Sequence, residues 1–272
     1  MSVPPLIDLH THVLPDVDDG APDLEASLLT LEALEADGVV AVCATPHLRA
    51  SATRAPRRAR ADAAWLEVTE ALTERGRRLA LHRGYEILLD SLVWDFSDAE
   101  LRLGGTRYAL VEWVSFTIPP NSVEMIERLV EEGLRPVVAH VERYFGYGGR
   151  YDLVGRWRDA GAVIQVNSGS LLGEHGEGAL RQARTLLERG WVDLLASDTH
   201  ARPGRSPSVR MAYDALAEEG AQEIGDLLLS VNPLRILEDE RTAPVPPLRR
   251  RGIAGRLAAW VGKRRTSQGE DA

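Results

Sequence analysis

The chain has 272 residues, of which 44% are hydrophobic and 27% charged, a balance that supports a sizeable folded core and excludes a disordered or membrane-embedded chain. A single cysteine excludes a disulfide scaffold. The 32 Lys and Arg against 41 Asp and Glu give a formal net charge of −9, which argues against nucleic acid as a partner. Met1 to Pro5 show no basic stretch followed by an apolar one, and no run of about 18 apolar residues occurs. A cytoplasmic location is expected.

Short β-rich runs alternate with amphipathic stretches. The first run is Leu6 to Val13. Leu24, Leu28, Leu31 and Leu34 then recur at helical spacing, with Gly38 punctuating the helix end ahead of a second strand, Val39 to Thr45. Leu79 to Ile87 and Tyr108 to Val114 supply the third and fourth strands. Ile126, Leu129 and Val130 mark a helix closed by Gly133, followed by the strand Pro136 to His140. Ala162 to Asn167, a helix through Leu180, Ala183, Leu186 and Leu187 with Gly190 after it, and Val192 to Ser197 complete the series. Such alternation forces parallel pairing with right-handed crossovers, so the fold is a closed barrel or a doubly wound sheet. No GxGxxG or GxxxxGK[ST] loop follows the first strand, which disfavours a nucleotide-binding open sheet.

The strand ends carry the chemistry. His10 and His12 close the first strand, His47 follows the second, and Glu86, Glu112, His140 and Asn167 end the third to sixth. Asp198 and His200 follow the seventh. In a parallel barrel all strand C-termini share one face, so residues nearly 200 positions apart converge there. A seven-stranded, barrel-like α/β fold is expected. Imidazoles and carboxylates suit borderline and hard divalent ions, and this set, with Asp19 from the loop Asp18-Asp19-Gly20, is too rich for one metal. Two or three ions fit better. His82 and His175 fall away from the strand ends and read as ordinary strand or loop residues.

Cys43 and Arg49 satisfy the Cys-x5-Arg spacing of cysteine-dependent tyrosine phosphatases. That chemistry needs a loop of backbone N–H groups at a helix N-terminus, whereas Cys43 lies inside an apolar strand and Pro46 removes one N–H from the loop. A core cysteine is the expectation. Arg49, Arg54, Arg57, Arg58 and Arg60 follow His47 and read either as a rim that draws acidic or phosphorylated peptide or as a solvated face. Pro244, Pro246 and Pro247 read as a linker, which divides the chain into a metal-site domain, 1–243, and a basic tail, 244–272. In the tail, cations from Arg249 to Arg265 surround Ile253, Leu257, Trp260 and Val261, a pattern for weak contact with an anionic membrane surface or for a disordered end.

The segments Ile7-Asp8-Leu9-His10-Thr11-His12, Asp18-Asp19-Gly20, Thr45-Pro46-His47, Gly84-Tyr85-Glu86, Val111-Glu112, His140-Val141-Glu142-Arg143 and Ser197-Asp198-Thr199-His200 resemble the PHP (polymerase and histidinol phosphatase) superfamily. They look most like its bacterial manganese-dependent protein tyrosine phosphatases, associated with capsular and exopolysaccharide synthesis. The likeness runs from about Leu6 to Leu237. It implies a distorted (β/α)7 barrel, PHP-type and TIM-like, holding two or three divalent ions, Mn2+ first with Fe or Zn as alternatives. By that likeness His10, His12, Asp19, His47, Glu86, Glu112, His140, Asp198 and His200 are the metal ligands, with Glu86 and Glu112 bridging. Arg143 and Arg205 match arginines near the substrate phosphate. Val141 departs from the proline usual at its position, and Leu48 from a usual His or polar residue. The implied activity is metal-assisted hydrolysis of protein phosphotyrosine, with a bacterial tyrosine kinase as the implied partner. A small-molecule phosphatase, such as one acting on histidinol phosphate, and a non-catalytic metal-binding adaptor are the rival readings.

Overall fold

A computed structural model describes residues 3–53, 58–144, 151–201 and 207–249. Parallel strands are β1 (Leu6–Thr11), β2 (Val39–Ala44), β3 (His47–Arg49), β4 (Ala80–Arg83), β5 (Glu86–Leu88), β6 (Tyr108–Glu112), β7 (Arg135–Val138), β8 (Val163–Asn167) and β9 (Leu194–Ala196). β1, β2 and β4 form one sheet in that order, and β3, β5, β6, β7, β8 and β9 form the other. One expected strand is split and another gains a short continuation. Pro46 has no N–H to continue the ladder, so β2 stops and β3 resumes at His47, while the neighbouring stave breaks in step between β4 and β5. Gly84 N–H still donates to Ala44 O at 3.1 Å and Glu86 N–H to Pro46 O at 3.2 Å, which keeps the two broken staves side by side. His47 therefore begins a strand instead of trailing one.

The last stave returns to the first at its C-terminal end. Asp198 N–H donates to His10 O at 2.9 Å and His12 N–H to Thr199 O at 2.8 Å. Below them, Ser197 N–H donates to Asp8 Oδ1 at 3.0 Å.

Alternation with a period of two explains the layers. Ile7, Leu9, Ala41, Cys43, Tyr108, Leu110, Val137, Ala139, Val163 and Leu194 form one buried cluster with Leu103 and Ile236. Residues of β1, β2, β6, β7, β8 and β9 meet there, so this is the barrel interior. Their strand neighbours Val42, Ala44, Ala109, Val111, Val138, Ile164, Val166 and Leu195 belong to the larger cluster. That cluster packs the strands against the helices α1 (Leu24–Ala36), α2 (Ala59–Glu74), α3 (Ser122–Glu131), α4 (Tyr151–Asp159), α5 (Ser168–Leu171) and α6 (Gly176–Glu188), then α7 (Val209–Glu218) and α8 (Gln222–Asp226), whereas α9 (Asn232–Leu237) supplies Ile236 to the interior cluster. α1 starts where Asp23 accepts from Ala26 N–H and stops before Gly38, whose φ of 89° suits glycine.

The proline segment packs on the barrel where a free linker was expected. Val245 and Leu248 are buried, and Leu248 N–H donates to Leu187 O at 2.8 Å. Two apolar side chains in five residues give the segment something to bury, which the prolines alone do not signal. The tail beyond residue 249 lies outside the described residues. Among the described residues no helix is long and apolar enough to cross a membrane.

Candidate metal centre

The interior positions continue upward into a polar rim. Above Leu110 on β6 stands Glu112, and above Val163 on β8 stand Gln165 and Asn167, all buried. β1 has an irregularity at the same height: Asp8 faces Val42 and Thr11 faces Ala44, three steps against two. This extra residue turns His10 toward the barrel axis, where Ile7 and Leu9 already point. His140 (φ 33°) and Asp198 (φ 55°) leave their strands in the left-handed region, which is uncommon for any non-glycine residue and is held here by the surrounding structure.

Glu86 lies at the middle. Its Oε2 sits 3.0 Å from His47 Nδ1, 3.2 Å from His10 Nε2 and 3.3 Å from His12 Nε2, while Oε1 is 2.8 Å from His140 Nε2. Asp198 Oδ1 is 3.5 Å from both His10 Nε2 and His12 Nε2. Glu112 approaches His47 Nδ1 to 3.2 Å. On the solvent side Asp19 Oδ1 is 3.5 Å from His47 Nε2 and 3.4 Å from His200 Nε2. All nine expected ligands therefore meet, in four overlapping groups: His12, Asp19, His47 and His200; His10, His12 and Glu86; His10, His140 and Asp198; and His47, Glu86 and Glu112.

The second ring nitrogens decide which way the lone pairs face. His10 Nδ1 is 3.2 Å from the Gln165 amide oxygen, His12 Nδ1 is 2.7 Å from Asp18 Oδ2, and His200 Nδ1 is 2.9 Å from Asp198 O. Each partner is an acceptor, so Nδ1 carries the proton and the Nε2 lone pair faces the carboxylates. Lone pairs opposed to a buried carboxylate oxygen repel unless a cation lies between them. Glu86 Oε2 is buried with no hydrogen-bond donor of its own, as an oxygen reserved for a cation would be. The donor set thus fits divalent ions.

Without ions, protons balance the charge. Burial alone would lower His47, yet Glu112 and Glu86 carry it up to about 10. Burial would raise Glu86, but His10, His12 and His140 hold it well below the usual carboxylate range. Burial likewise opposes ionisation of Asp18, which His12 and the backbone N–H groups of His47 and Gly20 bring down to about 2. In the sequence Asp18 looks like part of a turn. It is the residue that orients His12, and Gly20 is needed because a Cβ there would lie 2.2 Å from His12 O.

Around the cluster lies a cleft of about 390 Å³, whose lining includes Leu88, Phe116 and Arg143. Arg143 Nη1 donates to Asp198 Oδ2 at 3.1 Å, and its guanidinium lies 4.5 Å from the Phe116 ring centroid. Asn167 Nδ2 donates to the same Asp198 oxygen at 2.7 Å. Arg205, Arg54 and Arg57 lie outside the described residues. The other arginines after His47 do not line the cleft. Arg49 pairs with Asp90, Arg58 with Asp98 and Arg60 with Asp16, so acids that sequence spacing could not reveal hold them elsewhere. His175, read as an ordinary loop residue, lines the cleft with Nδ1 2.8 Å from Ser170 Oγ. Cys43 is fully buried in the interior cluster, and burial pushes its thiol up. It is no nucleophile.

Fold and site together define an α/β barrel with a histidine and carboxylate centre at the C-terminal rim. The phosphotriesterase from Mycobacterium tuberculosis shares this fold at a TM-score of 0.55 and 14% identity, over 86% of this chain and 94% of that one. Within that class, the chain belongs to the CpsB/CapC capsular polysaccharide synthesis family, whose model matches residues 6–238. Tyrosine-protein phosphatase CpsB of Streptococcus pneumoniae is 31% identical over 243 residues, covering 86% of this chain and 99% of that protein. Tyrosine-protein phosphatase YwqE of Bacillus subtilis is 28% identical over 254 residues, 92% of this chain and 99% of that one. A solved structure from work on YwqE and CpsB, described as unique metal-dependent tyrosine phosphatases, matches with a TM-score of 0.75 and 26% identity, over 90% of this chain and 100% of that one.

Proposed function

We propose that this protein is a metal-dependent phosphatase that removes phosphate from protein phosphotyrosine and thereby regulates capsule or exopolysaccharide synthesis, acting in the cytoplasm on a phosphorylated protein such as a bacterial tyrosine kinase. The observation that carries this reading is the Glu86-centred cluster beside Arg143. Its ligands are His10, His12, Asp19, His47, Glu86, Glu112, His140, Asp198 and His200. Four of these are carboxylates, so two divalent ions balance them, and a third gives the centre a charge opposite to that of a phosphate dianion. Mn2+ is the ion proposed. Bound there, the ions supply a water ionised near neutral pH and neutralise charge on the nonbridging phosphate oxygens.

The chain's own groups do the rest. Asp18, Gln165 and the Asp198 carbonyl hold three imidazoles in the ligating tautomer. Asp198 holds the Arg143 guanidinium in place through its Oδ2, leaving its other N–H groups to donate to phosphate oxygens. The family resemblance assigns Arg205 a similar role. Tyrosinate, whose parent phenol has a pKa of about 10, leaves with little help from an acid, unlike an alkoxide.

In the metal-loaded protein, kcat/KM for a phosphotyrosyl peptide should exceed that for the matching phosphoseryl peptide by at least about tenfold, a barrier difference of roughly 1.4 kcal/mol. Equal rates, or faster turnover of histidinol phosphate, would contradict the assignment. Cys43→Ser should leave kcat/KM within a few fold while lowering the unfolding midpoint, because a hydroxyl replaces a thiol in an apolar interior. Complete inactivation of a folded variant would restore the thiolate mechanism.

A further inference from the structure

We infer that Phe116 is the residue through which this cleft recognises the aromatic ring of its substrate; the inference rests on the phosphotyrosine reading above. Phe116 ends a short turn, Val114–Phe116, that leaves β6 just after Glu112. Trp113 anchors the turn: its side chain is fully buried, and its backbone N–H donates to Tyr144 Oη at 2.9 Å. Ser115 and Phe116 both have left-handed backbone, at φ 49° and 53°. Two consecutive non-glycine residues in that region fix the direction of the Phe116 side chain at an energetic cost. Phe116 is 42% exposed.

The exposed ring stands beside the phosphate-binding groups. Its centroid is 4.5 Å from the Arg143 guanidinium carbon and 5.4 Å from the His140 ring. Among the described residues lining the cleft it is the only Phe, Tyr or Trp, and much of the remaining wall is polar, including Ser115, Thr199 and Ser208. A phosphate held by Arg143 and the centre therefore places the first atoms of its ester group next to Phe116. A phenyl group there gains an offset-stacked or edge-to-face contact, whereas a seryl methylene has no ring to offer.

The test uses the full chain loaded with Mn2+ and one peptide carrying either phosphotyrosine or phosphoserine at the same position. Phe116→Ala should lower kcat/KM for the phosphotyrosyl peptide about tenfold, mainly through KM, and change the phosphoseryl value by less than about twofold. Phe116→Tyr should keep both values within about twofold. If Phe116→Ala does not fold, Phe116→Leu takes its place with the same expected fall in the selectivity ratio. Equal losses on both peptides would mean that the ring only steadies Arg143, and no loss on either would mean that it touches nothing in the substrate; both overturn the inference. A wild-type protein without preference for phosphotyrosine overturns the functional reading itself, a result separable from a retained preference that the Phe116 variants leave unaltered.

Discussion

Glu86→Gln is expected to lower phosphotyrosyl peptide turnover by at least about a thousandfold, close to 4 kcal/mol in barrier. Both carboxylate oxygens of Glu86 lie within 3.3 Å of imidazole nitrogens, from four different histidines. The amide keeps the shape but removes the charge, and it turns an N–H2 toward at least one nitrogen whose lone pair should face a cation. Breaking a buried charge cluster from one side typically costs about 3–5 kcal/mol, so metal content should fall together with activity. Measured metal stoichiometry alongside kcat/KM, on protein shown folded by circular dichroism, checks this. Full metal occupancy with turnover within tenfold of wild type would remove Glu86 from the centre.

Arg143→Ala should lower kcat/KM by about ten- to a hundredfold, or roughly 1.4–2.7 kcal/mol, while metal content stays unchanged. The residue contributes a charged donor beside the cluster, and Asp198 retains its bond from Asn167 Nδ2 when the guanidinium is removed. Arg143→Lys should recover only part of the loss, since a point charge cannot reproduce the planar fork. Metal depletion in the alanine variant would instead make Arg143 a structural support for Asp198.

Much of this site was legible in the sequence because ligating residue types fall at the strand ends, and a parallel barrel brings strand ends together. His10, His12, Glu112 and Asp198 were located by that logic alone. The fold reads equally well from alternation, except for the strand that starts at His47 and the break at Gly84, because a hydrophobic run gives no sign of where its ladder breaks or resumes. Other residues escaped because their importance lies in direction. Asp18 and Gln165 set imidazole tautomers, a role that spacing does not encode, although polar side chains at Gln165 and Asn167 inside a buried strand were an available signal. Phe116 and His175 reach the cleft through loops whose path depends on φ values and long-range contacts. The arginines after His47 look like a rim in sequence, yet Asp90, Asp98 and Asp16 hold those that are described.

The most direct measurement is turnover of a phosphotyrosyl peptide by the full chain before chelation, after verified removal of metal, and after return of Mn2+. The predicted result is a loss of at least about a thousandfold in kcat/KM on stripping, recovered on Mn2+ addition with at least two ions bound per chain at saturation. Undiminished turnover by protein confirmed to be metal-free would contradict the account.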